Sequence, residues 1–213
     1  PKSLLLIFLI TAAYHFGKED IFFLEKKNKI YDKILYFLKG SIVIVSPLLF
    51  HKNETILIFQ SLNFNISEII LTENVFLYIL LILSFFSSLF LFSKKNIEIN
   101  FLILMDFFSI LILNYFLNPI IAFTIYFCFL HSIRHSLSLM LKLNKDIKKG
   151  FVTFVKKALP LTIITAIVYL FSLYFLNNYY ELNESIHKVI FIGLASLTFP
   201  HILLEYLIER KEK

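Results

Sequence analysis

The chain has 213 residues, of which 58% are hydrophobic and 17% charged, and its mean hydropathy is +0.78. Soluble domains run at roughly 45–50% apolar and about 25% charged, so a water-soluble single domain is excluded. The net charge of +6 resides in lysines placed between hydrophobic runs, as loop charges are in membrane proteins, and no nucleic-acid surface is expected. The single cysteine, Cys128, excludes an internal disulfide and a Cys/His zinc site.

Taken in chain order, apolar runs predict spans at 3–17, 34–50, 74–92, 98–117, 119–141, 158–176 and 188–208. Asn118-Pro119 divides the fourth from the fifth, because the residue before a proline disfavours helix. Two segments fit no span: 18–33, where charges mix with Phe22, Phe23 and Leu24, and 55–64, which is too short. Interfacial or re-entrant pieces are expected there. The fold class is therefore all-α, a polytopic integral membrane helix bundle of about seven transmembrane helices, forming one domain over 1–213. The chain begins at Pro1 inside an apolar stretch, which predicts a truncated N-terminus.

Basic residues test the span count independently. Segments 18–33, 93–97 and 142–157 and the tail after 208 carry sixteen of them, whereas the opposite side holds only Lys2, Lys52 and Lys188. Lys39 and Arg134 fall inside spans. The expected location is the cell inner (plasma) membrane, multi-pass, with a cytoplasmic C-terminus.

Ionisable residues inside hydrocarbon are candidates for function. His131 and His135 stand four apart in YFCFLHSIRHS, on one helical face, a spacing at which two imidazoles grip one metal ion. No glutamate lies between them, which disfavours an HExxH protease. Hydrogen bonding between helices is the plain alternative, but further histidines favour a metal. His15 ends the first span, His51 follows the second, and His201 stands in the last, one turn before Glu205. His187 is assigned to the loop. Such imidazole-rich sets suit iron, copper or zinc. Asp20 and Glu205 are natural outer partners for the histidines. Arg134 needs a partner, for which Asp106 in the neighbouring span is the structural choice.

These motifs resemble the Brp/Blh family of beta-carotene 15,15'-dioxygenases, membrane enzymes that cleave beta-carotene centrally to give retinal. The resemblance rests on His15-Phe16-Gly17-Lys18-Glu19-Asp20, on Pro47 through His51, on Pro119 through Phe123, Tyr126 and Phe127 to His131-Ser132-x-Arg134-His135, and on Pro200-His201. Leu130 stands where many members carry tryptophan. The resemblance implies Fe(II) held by His15, His51, His131 and His135, with His201 as a further candidate. Asp20, Arg134 and Glu205 would lie around that set. It also implies beta-carotene and O2 as substrates, with a retinal-binding rhodopsin as a functional partner. No other cofactor and no general acid or base is expected.

The topology strains that ligand set, because it puts His15 and His51 near opposite faces of a hydrocarbon core about 30 Å thick. One boundary must shift if both ligate one ion: a first span running on to Leu24 would lift His15 towards mid-membrane, and a second span starting near Gly40 would carry His51 inward. Competing readings are a membrane di-iron hydroxylase, another lipid oxygenase, and a histidine-containing transporter or haem-binding membrane protein. The six histidines fall short of the larger clusters of the di-iron enzymes.

Overall fold

Each of the seven apolar runs forms helix in the computed structural model, which describes residues 2–22, 30–64, 73–92, 97–144 and 146–211. In order these are α1 (Lys2–Phe22), α2 (Ile30–Gly40), α3 (Ile42–Phe50), α4 (Lys52–Ser61), α5 (Asn74–Phe92) and α6 (Ile97–Phe116). Next come α7 (Pro119–Ile125), a π-helical segment (Tyr126–Ser132), α8 (Ile133–Leu143), α9 (Ile147–Leu176) and α10 (Leu182–Lys211). The described residues include no strand. Among the described residues, three stretches are long and apolar enough to cross a membrane: Tyr31–Phe50, Pro119–Leu141 and Ile147–Leu176. Asn74–Phe90 and Phe101–Phe116 are shorter apolar helices.

Residues 1–138 form one compact unit and residues 139–213 a second. In the first, α1 and α2 run antiparallel and touch backbone to backbone. A Cβ built on Gly17 would fall on the carbonyl oxygen of Tyr36 and 2.8 Å from the nitrogen of Gly40; one built on Gly40 would fall on the carbonyl oxygen of Ala13 and 2.6 Å from the nitrogen of Gly17. Small residues at such a crossing let two helices approach closely. The same register brings Leu5 and Leu9 of α1 against Val45 and Leu48 of α3, with Phe59 of α4 and Leu77 of α5. A second cluster joins Phe16 and Ala12 to Ile42, Val43, Phe107, Ile110 and Tyr126.

Segment 18–33 is helical at both described ends. Helix α1 continues through Lys18, Glu19 and Asp20 to Phe22, and α2 begins at Ile30; residues 23–29 lie outside the described residues. Segment 55–64 falls largely within α4, a helix of 10 residues that at 1.5 Å per residue is roughly 15 Å long and too short to span. Helices α3 and α4 meet at His51, whose φ of −133° and ψ of 50° break the helix. Thr55 ties the corner by donating to the carbonyls of Pro47 and His51 at 3.1 and 2.8 Å.

In the second unit α9 begins well before the expected span. The Asp146 side chain caps it, accepting from the backbone nitrogens of Lys148 and Lys149, and so the lysine-rich stretch is helical too. Lys188 of α10 pairs with Glu184 one turn back and lies 4.0 Å over the ring of Tyr180.

Candidate functional site

Helix α1 presents two i,i+4 pairs to the π-helical segment and α8: His15 with Glu19, and Phe16 with Asp20. The Asp20 carboxylate is buried, at 3% exposure, and is approached from three sides. Lys39 Nζ lies 3.4 Å from Oδ2, the Tyr126 hydroxyl donates to Oδ2 at 3.0 Å, and His131 Nδ1 faces Oδ1 at 3.4 Å. Beside it, His135 Nδ1 lies 2.9 Å from Glu19 Oε2. Arg134 makes a bidentate pair with Asp106 of α6, at 2.6 and 2.5 Å.

The π-helical geometry explains how Tyr126 and His131 reach one carboxylate. In an α-helix residues five apart diverge by roughly 140°, whereas i→i+5 hydrogen bonding brings them nearly into line. It also builds a ladder of rings. Phe123 stacks on Phe127 at 5.7 Å between ring centres, Phe127 stacks on His131 at 5.5 Å, and Phe16 meets His131 edge-on at 5.0 Å.

His15 and His131 come together, both buried, with ring centres 5.6 Å apart. His135 is anchored by the neighbouring carboxylate. A carboxylate on Nδ1 fixes the tautomer in which Nε2 is the ligating nitrogen, and His131 and His135 both have that arrangement. Among the described residues, no three His, Cys, Asp or Glu side chains stand close enough as they are to hold an ion.

His51 is not brought to this cluster. The α1 to α3 register places it opposite the start of α1, roughly 20 Å along the helix pair from His15. Its Nδ1 is 3.9 Å from Glu54 Oε1, and its Nε2 is buried without a hydrogen-bond partner among the described residues. Of the two boundary shifts weighed for a shared ion, α1 runs on to Phe22, with Leu24 outside the described residues, and the second apolar stretch begins at Tyr31 rather than near Gly40. His201 and Glu205 belong to α10, and their side chains lie outside the described residues.

Three residues of the cluster have no role in a reading of the sequence: Glu19 and Tyr126 enter it only as parts of the family motif, and Lys39 only as a cation inside an apolar span.

A sequence model of the beta-carotene 15,15'-dioxygenase family matches residues 1–209. The chain belongs to that family. A curated relative, the beta-carotene 15,15'-dioxygenase of uncultured marine bacterium 66A03, is 32% identical over 92 residues, which is 43% of this chain and 33% of that protein. The match therefore spans about a third of the relative's length. No solved structure matches the chain.

Proposed function

We propose that this protein is a membrane-embedded oxygenase that cleaves the central double bond of beta-carotene with O2 to give retinal, using a non-haem iron ion. The observation that carries the proposal is the meeting of His15 and His131 beside carboxylates bonded to His131 and His135. The donor set agrees in kind with iron, since imidazoles with open positions suit it and carboxylates on Nδ1 are the usual outer partners of ligating histidines. In this reading His15, His131 and His135 hold the ion. His51 lies too far along α1 to join them, and His201 stays a further candidate. Bound iron would supply the oxygen chemistry.

The chain's own residues do the rest. Asp20 and Glu19 orient His131 and His135 and offset the cation's charge. Arg134 and Asp106 neutralise each other, so that neither charge is left unpaired in an apolar setting. The ring ladder Phe123, Phe127 and His131 offers a flat apolar wall for a polyene, and the surrounding Phe16, Phe107 and Ile110 exclude water.

The test is expression in cells that accumulate beta-carotene, with chromatography of the extract for retinal. Retinal is expected from the wild-type chain and its loss from His131→Ala and His135→Ala. Intact carotene beside a folded, iron-loaded protein would turn the reading to another lipid oxygenase, and a folded protein that takes up no metal would turn it to transport.

A further inference from the structure

We propose that Lys39 is a positioning residue for His131, acting through Asp20. The inference rests on the metal reading above and deepens it. Asp20 divides its two oxygens: Oδ2 takes the Lys39 ammonium at 3.4 Å and the Tyr126 hydroxyl at 3.0 Å, while Oδ1 is left to His131 Nδ1 at 3.4 Å. With Oδ2 held, the carboxylate does not swing, and Oδ1 stays aimed at the imidazole.

The lysine is itself clamped. Its neighbour Gly40 is pressed against Ala13 and Gly17 of α1, and its own carbonyl accepts from the Ser84 hydroxyl of α5 at 3.2 Å. Two helices therefore fix the backbone from which the ammonium extends. Both side chains are only 4% exposed. A buried ion pair is weak evidence for stability, because apolar residues of similar volume often serve as well. Packing gives no reason for a cation at 39. Its chemical consequence is the orientation of Asp20, and through it the Nδ1-protonated tautomer of His131 with Nε2 presented to a metal. Asp20 and Lys39 also line a small cavity with Gly40, Ser88 and Phe107, where the Ser88 hydroxyl is buried without a partner among the described residues.

The experiment uses the full chain in detergent, with two readings on the wild type, Lys39→Met, Asp20→Asn and the Asp20→Asn, Lys39→Met double variant. The first is Co(II) affinity by absorption titration. The second, which needs no metal, is the imidazole 15N spectrum, with His131 assigned by its absence in His131→Gln. Lys39→Met is expected to weaken Co(II) binding by about tenfold or more and to remove the Nδ1-protonated signature of His131. If Lys39 acts only through Asp20, the double variant binds Co(II) no worse than Asp20→Asn. That comparison stands even if Lys39→Met alone fails to fold, since the double variant leaves no uncompensated carboxylate. An unchanged tautomer and affinity in Lys39→Met overturn the proposal, as does a further tenfold loss on adding Lys39→Met to Asp20→Asn. A wild-type chain that binds no Co(II) would sink the metal reading, and the 15N comparison would then decide the role of Lys39 by itself.

Discussion

Gly40→Ala places one methyl group where two backbones already touch. The added carbon would lie on the Ala13 carbonyl oxygen and 2.6 Å from the Gly17 nitrogen. The Cβ would stand 1.9 Å from that oxygen, and non-bonded contacts settle at about 3.5–4.0 Å, so α1 and α2 must part by roughly 1.5–2 Å. Neither neighbour is a flexible side-chain tip that could turn aside. Overpacking of this kind costs about 1–3 kcal/mol, and the middle of that range, about 2 kcal/mol, is the expected loss. For a chain of this size that is a fall of roughly 4–8 °C in Tm, read by thermal unfolding in detergent. Gly17→Ala loads the same crossing, so the two effects are expected to be less than additive in the double variant. The displacement also draws Asp20 away from Lys39, and the Asp20–Lys39 coupling in a double-mutant cycle should shrink. A Gly40→Ala protein that melts with the wild type, or two fully additive glycine substitutions, would refute the idea of a single tight crossing.

Other perturbations probe other links. Arg134→Lys keeps the charge but loses the two-pronged grip on Asp106, and it should destabilise by about 1–2 kcal/mol; joint replacement as Asp106→Asn, Arg134→Met should recover part of the loss in the same melting assay. Asn118 caps α7 by accepting from the Ile121 nitrogen at 3.0 Å, so Asn118→Ala should cost about 1 kcal/mol, whereas Asn118→Ser should cost little. His187 lies at the start of α10, ahead of its apolar stretch. Desolvation holds its pKa below the ordinary histidine value, outweighing the opposing pull of Glu184. The folded chain therefore binds fewer protons there than the unfolded one, and stability should fall as pH drops through about 6.5. His187→Gln should flatten that slope.

The helices were legible because apolar runs of this length have few other solutions. The end of α1 was not. Lys18, Glu19 and Asp20 read as a loop in one dimension, and they are helical because Glu19 and Asp20 find His135, His131 and Lys39 in three. The pairing of Asp106 with Arg134 followed from two opposite charges in adjacent spans, with no other place for either. The Tyr126 hydroxyl on Asp20 left no trace, because a test for helical periodicity assumes 3.6 residues per turn and this segment turns more widely. Glycine was equally silent at Gly40. Whether a glycine faces a neighbouring backbone depends on a crossing that only the folded pair defines.

The π-helical turn carries a consequence for the natural variation of this fold. Seven residues, Tyr126–Ser132, turn in the wider ladder, which stores in effect one residue more than an α-helix needs over the same rise. Deleting a single residue between Tyr126 and His131 would let the helix rewind as α without breaking it. Tyr126 and His131 would then stand four apart, still on one helical face, so both could go on facing the Asp20 carboxylate. A one-residue deletion should therefore be better tolerated in this short stretch than in the regular helix on either side, where it would turn the flanking residues by about 100° against each other.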